Sequence, residues 1–175
     1  SIYKFTAPPD YWLSTYESAA LGFEEDEYDD WQEIQEGDII LFHSTQSPGW
    51  EALDDQEAGL IGAGIVQTTV HKPGKKSWWF DEQEDRPNGD KFPYLVTFES
   101  LYATGDLDAV DFTKDIFAKT QETVNSEIDS LTSNSLLFSE ADEISREVSD
   151  TGFPGQQVIR ELNDRDQAIA IANAL

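Results

Sequence analysis

Between residues 72 and 91 lie five of the chain's eleven basic side chains, Lys72, Lys75, Lys76, Arg86 and Lys91, and among them stand Trp78, Trp79 and Phe80. Bases stack on aromatic faces for about 1 to 3 kcal/mol each, and phosphates draw cations to themselves. Interleaved in this way, the two residue types predict a contact with nucleic acid. The same stretch also reads as a basic hairpin loop beside two core tryptophans. Strand alternation bears on the choice, because Trp78 and Trp79 cannot both face the core of a one-sided sheet. At least one ring is left for something else.

Catalysis is poorly supplied by comparison. The chain has two histidines, His43 and His71, and no cysteine, so thiol catalysis, disulfides and zinc-thiolate sites are excluded and histidine-based triads have few centres. No HExxH, phosphate-cradling or dinucleotide glycine signature occurs. Carboxylate pairs are everywhere in so acidic a chain and single out no site. A small hydrolase or nucleotide-processing enzyme with a carboxylate site is thus the alternative from another class, and no cofactor is expected.

The formal net charge of -25 belongs to the whole chain, with one dense run at Glu24–Asp30. An aromatic content of 12% sets it apart from a disordered acidic tail. Self-repulsion of this size is tolerable where salt screens it, since the Debye length falls to about 3 Å at 1 M. The charge therefore points to an extreme halophile, an archaeon first of all; an acidic inhibitor that mimics phosphates is the other reading. No apolar run reaches the roughly 18 residues of a membrane span, and the N-terminus has no signal pattern, so a cytoplasmic location is expected.

The elements that would hold these residues are organised around residues 31–44, WQEIQEGDIILFHS. Glu36-Gly37-Asp38 reads as a turn, and Ile39-Ile40-Leu41-Phe42 as a strand covered on both faces. Ile61–Val66 reads as a second strand whose glycines mark bulges, corners or close approach, and Lys91–Phe98 as a third. Tyr11-Trp12-Leu13 predicts a first strand, Ser14–Asp30 a solvated helix or loop, and Ser77–Phe80 a short strand. Ser47–Gly59 is a long loop. From about Asp111 the pattern turns helical, with Asp164 placed to cap a last helix. The apolar pattern runs to Leu175, which leads us to expect a fragment or a further domain beyond it.

Tyr11-Trp12-Leu13, Trp31, Gly37-Asp38-Ile-Ile-Leu-Phe-His-Ser44, Gly62–Val66 and Phe92–Phe98, in that order, resemble the EVE domain, a member of the PUA-like superfamily and a relative of the YTH readers of methylated adenine. The likeness spans about residues 8 to 112. It implies an α+β fold: a small, strongly bent β-barrel flanked by helices over 1–112, with a helical extension over 113–175. It further implies a pocket that takes a modified base from DNA, such as 5-methylcytosine, 5-hydroxymethylcytosine or N6-methyladenine, ahead of a nuclease of HNH or McrBC type in a restriction system. An RNA-binding PUA-like module acting on tRNA or another structured RNA is the alternative.

A flipped base must recover a few kcal/mol of lost stacking and pairing, which an aromatic sandwich with hydrogen bonds to its polar edge can supply. By motif position Trp12 and Trp31 are expected as walls, with Trp78 or Trp79 by alternation and Trp50 as a loop-borne lid. Ser44, just past the central strand, and His43 are the candidate polar readers. Lys72, Lys75, Lys76, Arg86 and Lys91 would hold the nucleic-acid backbone.

Overall fold

A computed structural model describes residues 1–45, 58–72, 91–155 and 157–175. The chain opens with β1 (Ile2–Ala7), in which Tyr3, Phe5 and Ala7 face one way while Ile2, Lys4 and Thr6 face the other. Helix α1 (Pro9–Ser18) follows, with proline at its first position, and it ends at Ala19, whose φ of 50° is left-handed. Tyr11-Trp12-Leu13 therefore lies in a helix and not in the expected first strand. Pro9 has φ preset for the first turn and needs no hydrogen bond there, and Trp12 and Tyr16 repeat at helical spacing.

The four residues of β2 (Ala20–Phe23) are all buried, in the middle of the stretch expected to be a solvated helix or loop. A single 3-10 turn (Glu25–Glu27) and α2 (Tyr28–Glu33) then carry the acidic run on the surface. The turn before β3 is closed by Asp38, which accepts from the Gln35 N–H at 2.8 Å, and by Gly37 at a φ of 84°. Strand β3 (Ile39–Ser44) has the two-sided burial expected of it: Ile40 and Phe42 enter one apolar cluster, Ile39 and Leu41 another.

Two long strands, β4 (Gly59–His71) and β5 (Tyr94–Ala103), complete the sheet's centre. The strand order is β2-β5-β4-β3-β1-β7, where β7 is Ile159–Glu161 and a two-residue β6 (Leu136–Leu137) pairs with the start of β4. The β1–β3 pair is parallel and the others antiparallel. Register shifts after Phe42 and around Val66 bend β3 and β4. The sheet curls far enough that Phe23, on one outer strand, meets Phe5, four strands away in sheet order, at 5.1 Å between ring centroids.

Inside the curl sits the larger cluster, which includes Trp12, Phe42, Val96 and Phe98. Helix α3 (Gln121–Thr132) closes it with Val124, Ile128 and Leu131, and the Thr120 hydroxyl accepts from the Thr123 N–H at 3.2 Å to cap that helix. On the outer face α4 (Phe138–Val148) and α5 (Arg165–Ala174) cover Leu41 and Leu60. Asp164 caps α5 as expected, accepting from the N–H groups of Asp166 and Gln167. The architecture is thus mixed α+β, a curled half-barrel sheet flanked by helices. No described helix is long and apolar enough to cross a membrane.

Gly62 is a position where the fold tolerates no side chain, because a Cβ there would run into the Tyr102 carbonyl and the Tyr16 hydroxyl, which are bonded to each other at 2.7 Å. Gly62→Ala is expected to cost about 1 to 3 kcal/mol, read as a lower urea midpoint at constant salt.

Candidate nucleic-acid interface

Where β4 ends and β5 begins, the register pairs His71 with Tyr94 across the mouth from which residues 73–90 depart. Helix α2 lies beside this mouth and adds Tyr28 and Trp31, one helical turn apart. Tyr94 is the hub: its ring centroid lies 4.8 Å from Trp31, 5.0 Å from Tyr28 and 5.0 Å from His71. The indole N–H of Trp31 is committed to the Leu95 carbonyl at 2.9 Å, which fixes the ring and leaves only its face and edge to a ligand. Tyr28 is 42% exposed and His71 is exposed, while Trp31 and Tyr94 are half-buried.

Centroid separations of this size are those of rings in direct contact, so no base fits between them. The four form one wall, able to stack a base on its outer surface. A second aromatic group borders the mouth, with Tyr11 edge-on to Phe92 at 5.8 Å and the Tyr11 hydroxyl donating to the Gly22 carbonyl at 2.6 Å. Lys91 lies over the Phe92 ring with Nζ 5.3 Å from its centroid, and Lys72 is buried, its backbone N–H bonded to the Pro93 carbonyl at 2.9 Å. Of the expected walls Trp31 is therefore at the mouth.

Other expected residues go elsewhere. Trp12 is a core residue, 0% exposed, stacked on Phe42 at 4.6 Å with its N–H on the Ala7 carbonyl. Ser44 is buried, its hydroxyl turned to the Thr45 carbonyl at 3.4 Å. His43 is buried on the outer face against Phe138 and Phe153, so it is no reader at the mouth. The β3–β4 register explains the separation: Ser44 pairs with Gly59, whereas His71 lies beyond Ile65, the partner of Ile39 at the other end of β3. Trp50, Trp78, Trp79, Lys75, Lys76, Arg86 and the expected Ser77–Phe80 strand lie outside the described residues.

Sequence reasoning missed Tyr28, Tyr94 and His71 as members of the wall. A tyrosine inside an acidic run, three residues before a tryptophan, was the available signal, since i and i+3 share a helix face. Tyr94 was legible only as one apolar position of an alternating strand.

The acidic run has an electrostatic cost at the opposite margin of the sheet. A groove of about 400 Å³ separates α2 from β7, lined by Asp26, Glu27, Asp30, Arg160, Glu161 and Asn163 among others. Burial, followed by the nearby Glu24, Asp26 and Asp30 carboxylates, raises Glu27 to about 7, against the hydrogen bond from the Glu24 N–H. An acid raised in the folded state loses stability as pH climbs from its unfolded value through 7. Glu27→Gln is therefore expected to stabilise the chain by on the order of 1 kcal/mol at pH 8, where solvent screens part of the repulsion on this half-buried carboxylate, and by nothing near pH 4, in paired thermal melts.

The curled sheet with flanking helices and an aromatic mouth defines a class of small α+β domains, and the comparisons place the chain within that fold. It is similar over its full length to crystal structures of two bacterial proteins, one from Pseudomonas syringae (12% identity, TM-score 0.52) and one from Pseudomonas putida (12% identity, TM-score 0.51), each covered completely. A more distant likeness, with a TM-score of 0.43 and 14% identity over 99% of this chain and 98% of the other, is to the N-terminal domain of Thermococcus gammatolerans McrB bound to m5C DNA. No protein-family model and no curated protein matches the sequence.

Proposed function

We propose that this chain recognises a modified nucleobase in DNA and serves as the specificity domain of a modification-dependent restriction system. The base, 5-methylcytosine, 5-hydroxymethylcytosine or N6-methyladenine, is turned out of the helix and stacked at the aromatic mouth. A nuclease of HNH or McrBC type acts on what the domain has bound. The carrying observation is the wall of Tyr28, Trp31, Tyr94 and His71, set at the root of the segment that holds Trp78, Trp79, Lys75, Lys76 and Arg86.

The physics supports this reading. A base stacked on aromatic rings gains about 1 to 3 kcal/mol, enough to offset part of the cost of flipping, and a methyl group seated in an apolar corner adds about 0.8 kcal/mol. The charge of -25 opposes a polyanion at long range, so binding rests on short-range contacts and is favoured where salt screens the repulsion. This fits an EVE-like domain working in the cytoplasm of a halophilic archaeon.

The deciding measurement is the affinity for oligonucleotides with and without each modification in molar KCl. We expect a preference for one modified duplex, and Trp31→Ala to weaken it about 5- to 150-fold while lowering the melting temperature less than Trp12→Ala does. Equal affinity for plain and modified DNA would overturn the reading; selective recovery of structured RNA would replace it with the PUA-like RNA-binding one.

A further inference from the structure

The outer face of the β1–β3 pair holds buried polar groups that base recognition does not use. Register sets Lys4 beside Leu41 and Thr6 beside His43, all on the side covered by α4, α5 and the segment 149–155. His43 is 5% exposed, its ring 5.8 Å from Phe138 and 6.1 Å from Phe153. Its Nδ1 lies 3.1 Å from the Thr6 hydroxyl, and its buried Nε2 has no hydrogen-bond partner among the described residues. Lys4 is fully buried, donates to the Gly155 carbonyl and points at the Phe153 ring, with Nζ 5.9 Å from the centroid. One side chain, Phe153, thus packs against both the imidazole and the ammonium. Its backbone N–H is tied to Asp142 on α4 at 2.9 Å.

We propose that this cluster is an acid-sensitive latch: a proton placed on His43, beside the Lys4 ammonium and beneath Phe153, frees the 149–155 segment and loosens the outer helical layer while the interior of the curl stays closed. Every element around the ring disfavours the charged form. β1 supplies the Lys4 ammonium, with Arg160 on β7 beyond it; Leu60 on β4 and Phe138 on α4 are apolar. Asp142, the carboxylate on this side, is already held by the Phe153 N–H and by Arg146 at 2.9 Å.

Burial, then Lys4, lowers His43 to about 4 from an ordinary 6.5. A histidine lowered in the folded state weakens that state as pH falls from its unfolded value toward the folded one, tenfold per unit. The local character follows from the two separate apolar clusters: Leu41, Leu60, Phe153, Leu162 and Ile171 can part without opening the one that holds Trp12 and Phe42.

Residue-resolved hydrogen exchange on the whole chain, at fixed KCl from pH 7.5 to 4.5 and corrected for intrinsic rates, tests this. The Phe153 and Ser149 amides should exchange through an opening of lower free energy than Phe42 and Val96 at pH 7.5 and lose about 100-fold in protection by pH 4.5, and His43→Leu should abolish that acid-driven loss. Protection of Phe153 and Ser149 as strong as that of Phe42 and Val96 at pH 7.5, or the same acid profile in His43→Leu, overturns the latch. Should that variant not fold, Lys4→Met keeps the histidine but removes the charge beside it, and the acid-driven loss of protection at Phe153 and Ser149 should shrink; an undiminished loss overturns the pairing on which the latch depends.

Discussion

Trp12→Ala is expected to destabilise the chain by about 3 to 5 kcal/mol, with the affinity of the remaining folded molecules for modified DNA unchanged. The indole is wholly buried, stacked on Phe42 at an interplanar angle of 22° and met edge-on by Phe5 and Tyr11 at 6.0 Å each. An alanine there leaves a void ringed by aromatic faces, and rings anchored on β1, β3 and α1 cannot collapse into it without shifting the sheet. Urea unfolding in molar KCl measures the loss, and binding at a temperature well below the new midpoint measures the rest. Trp31→Ala is the reciprocal experiment, because that ring is half-buried at the mouth, held by its hydrogen bond to Leu95 and its contacts with Tyr28 and Tyr94 and not enclosed in the core. If both variants lost stability and affinity together, the division between core and wall would fail.

Lys4→Met is expected to stabilise the chain by on the order of 1 kcal/mol at pH 7, because the lost Gly155 and Phe153 contacts offset part of the gain, an unusual sign for a substitution at a fully buried site. Burial first, and Arg160 second, bring Lys4 down from 10.5 to about 8. Below that value the folded chain carries the full cost of a desolvated ammonium, repaid in part by the Gly155 carbonyl. Methionine occupies similar space without charge, and Gly155 is exposed, so water can take over its carbonyl. The sign is checked by pH. A lysine lowered in the folded state lets wild-type stability rise between 8 and 10.5, so the advantage of Lys4→Met should shrink over that interval and vanish above it. An advantage constant with pH would mean that packing and not charge set the difference.

Much of the fold could be read where a local pattern admits one answer. The run Ile39–Phe42 is apolar without a break, and both its faces are covered. Asp164 precedes an apolar helical period and caps it. The misreadings have physical causes. Tyr11-Trp12-Leu13 is as apolar as a strand, but the two prolines before it start a helix. Ala20–Phe23 is short and glycine-bearing beside an acidic run, and it becomes a strand because β5 offers it a partner far along the chain, Phe98 having its N–H on the Ala19 carbonyl and Thr97 its place opposite Ala20. Propensity over a few residues is a weak force beside such long-range pairing.

By itself the sequence determined which chemistry this protein has to work with: scarce cations gathered among aromatic rings, no thiol, two histidines and a surface of carboxylates, all of them properties of composition and spacing. Only the tertiary structure decided which rings face solvent. Indoles are alike in sequence, and a ring becomes wall or core through the curl that brings β2 round to β1 and through the register that sets His71 against Tyr94. That register is fixed by pairings between residues far apart in the chain, which no local stretch encodes.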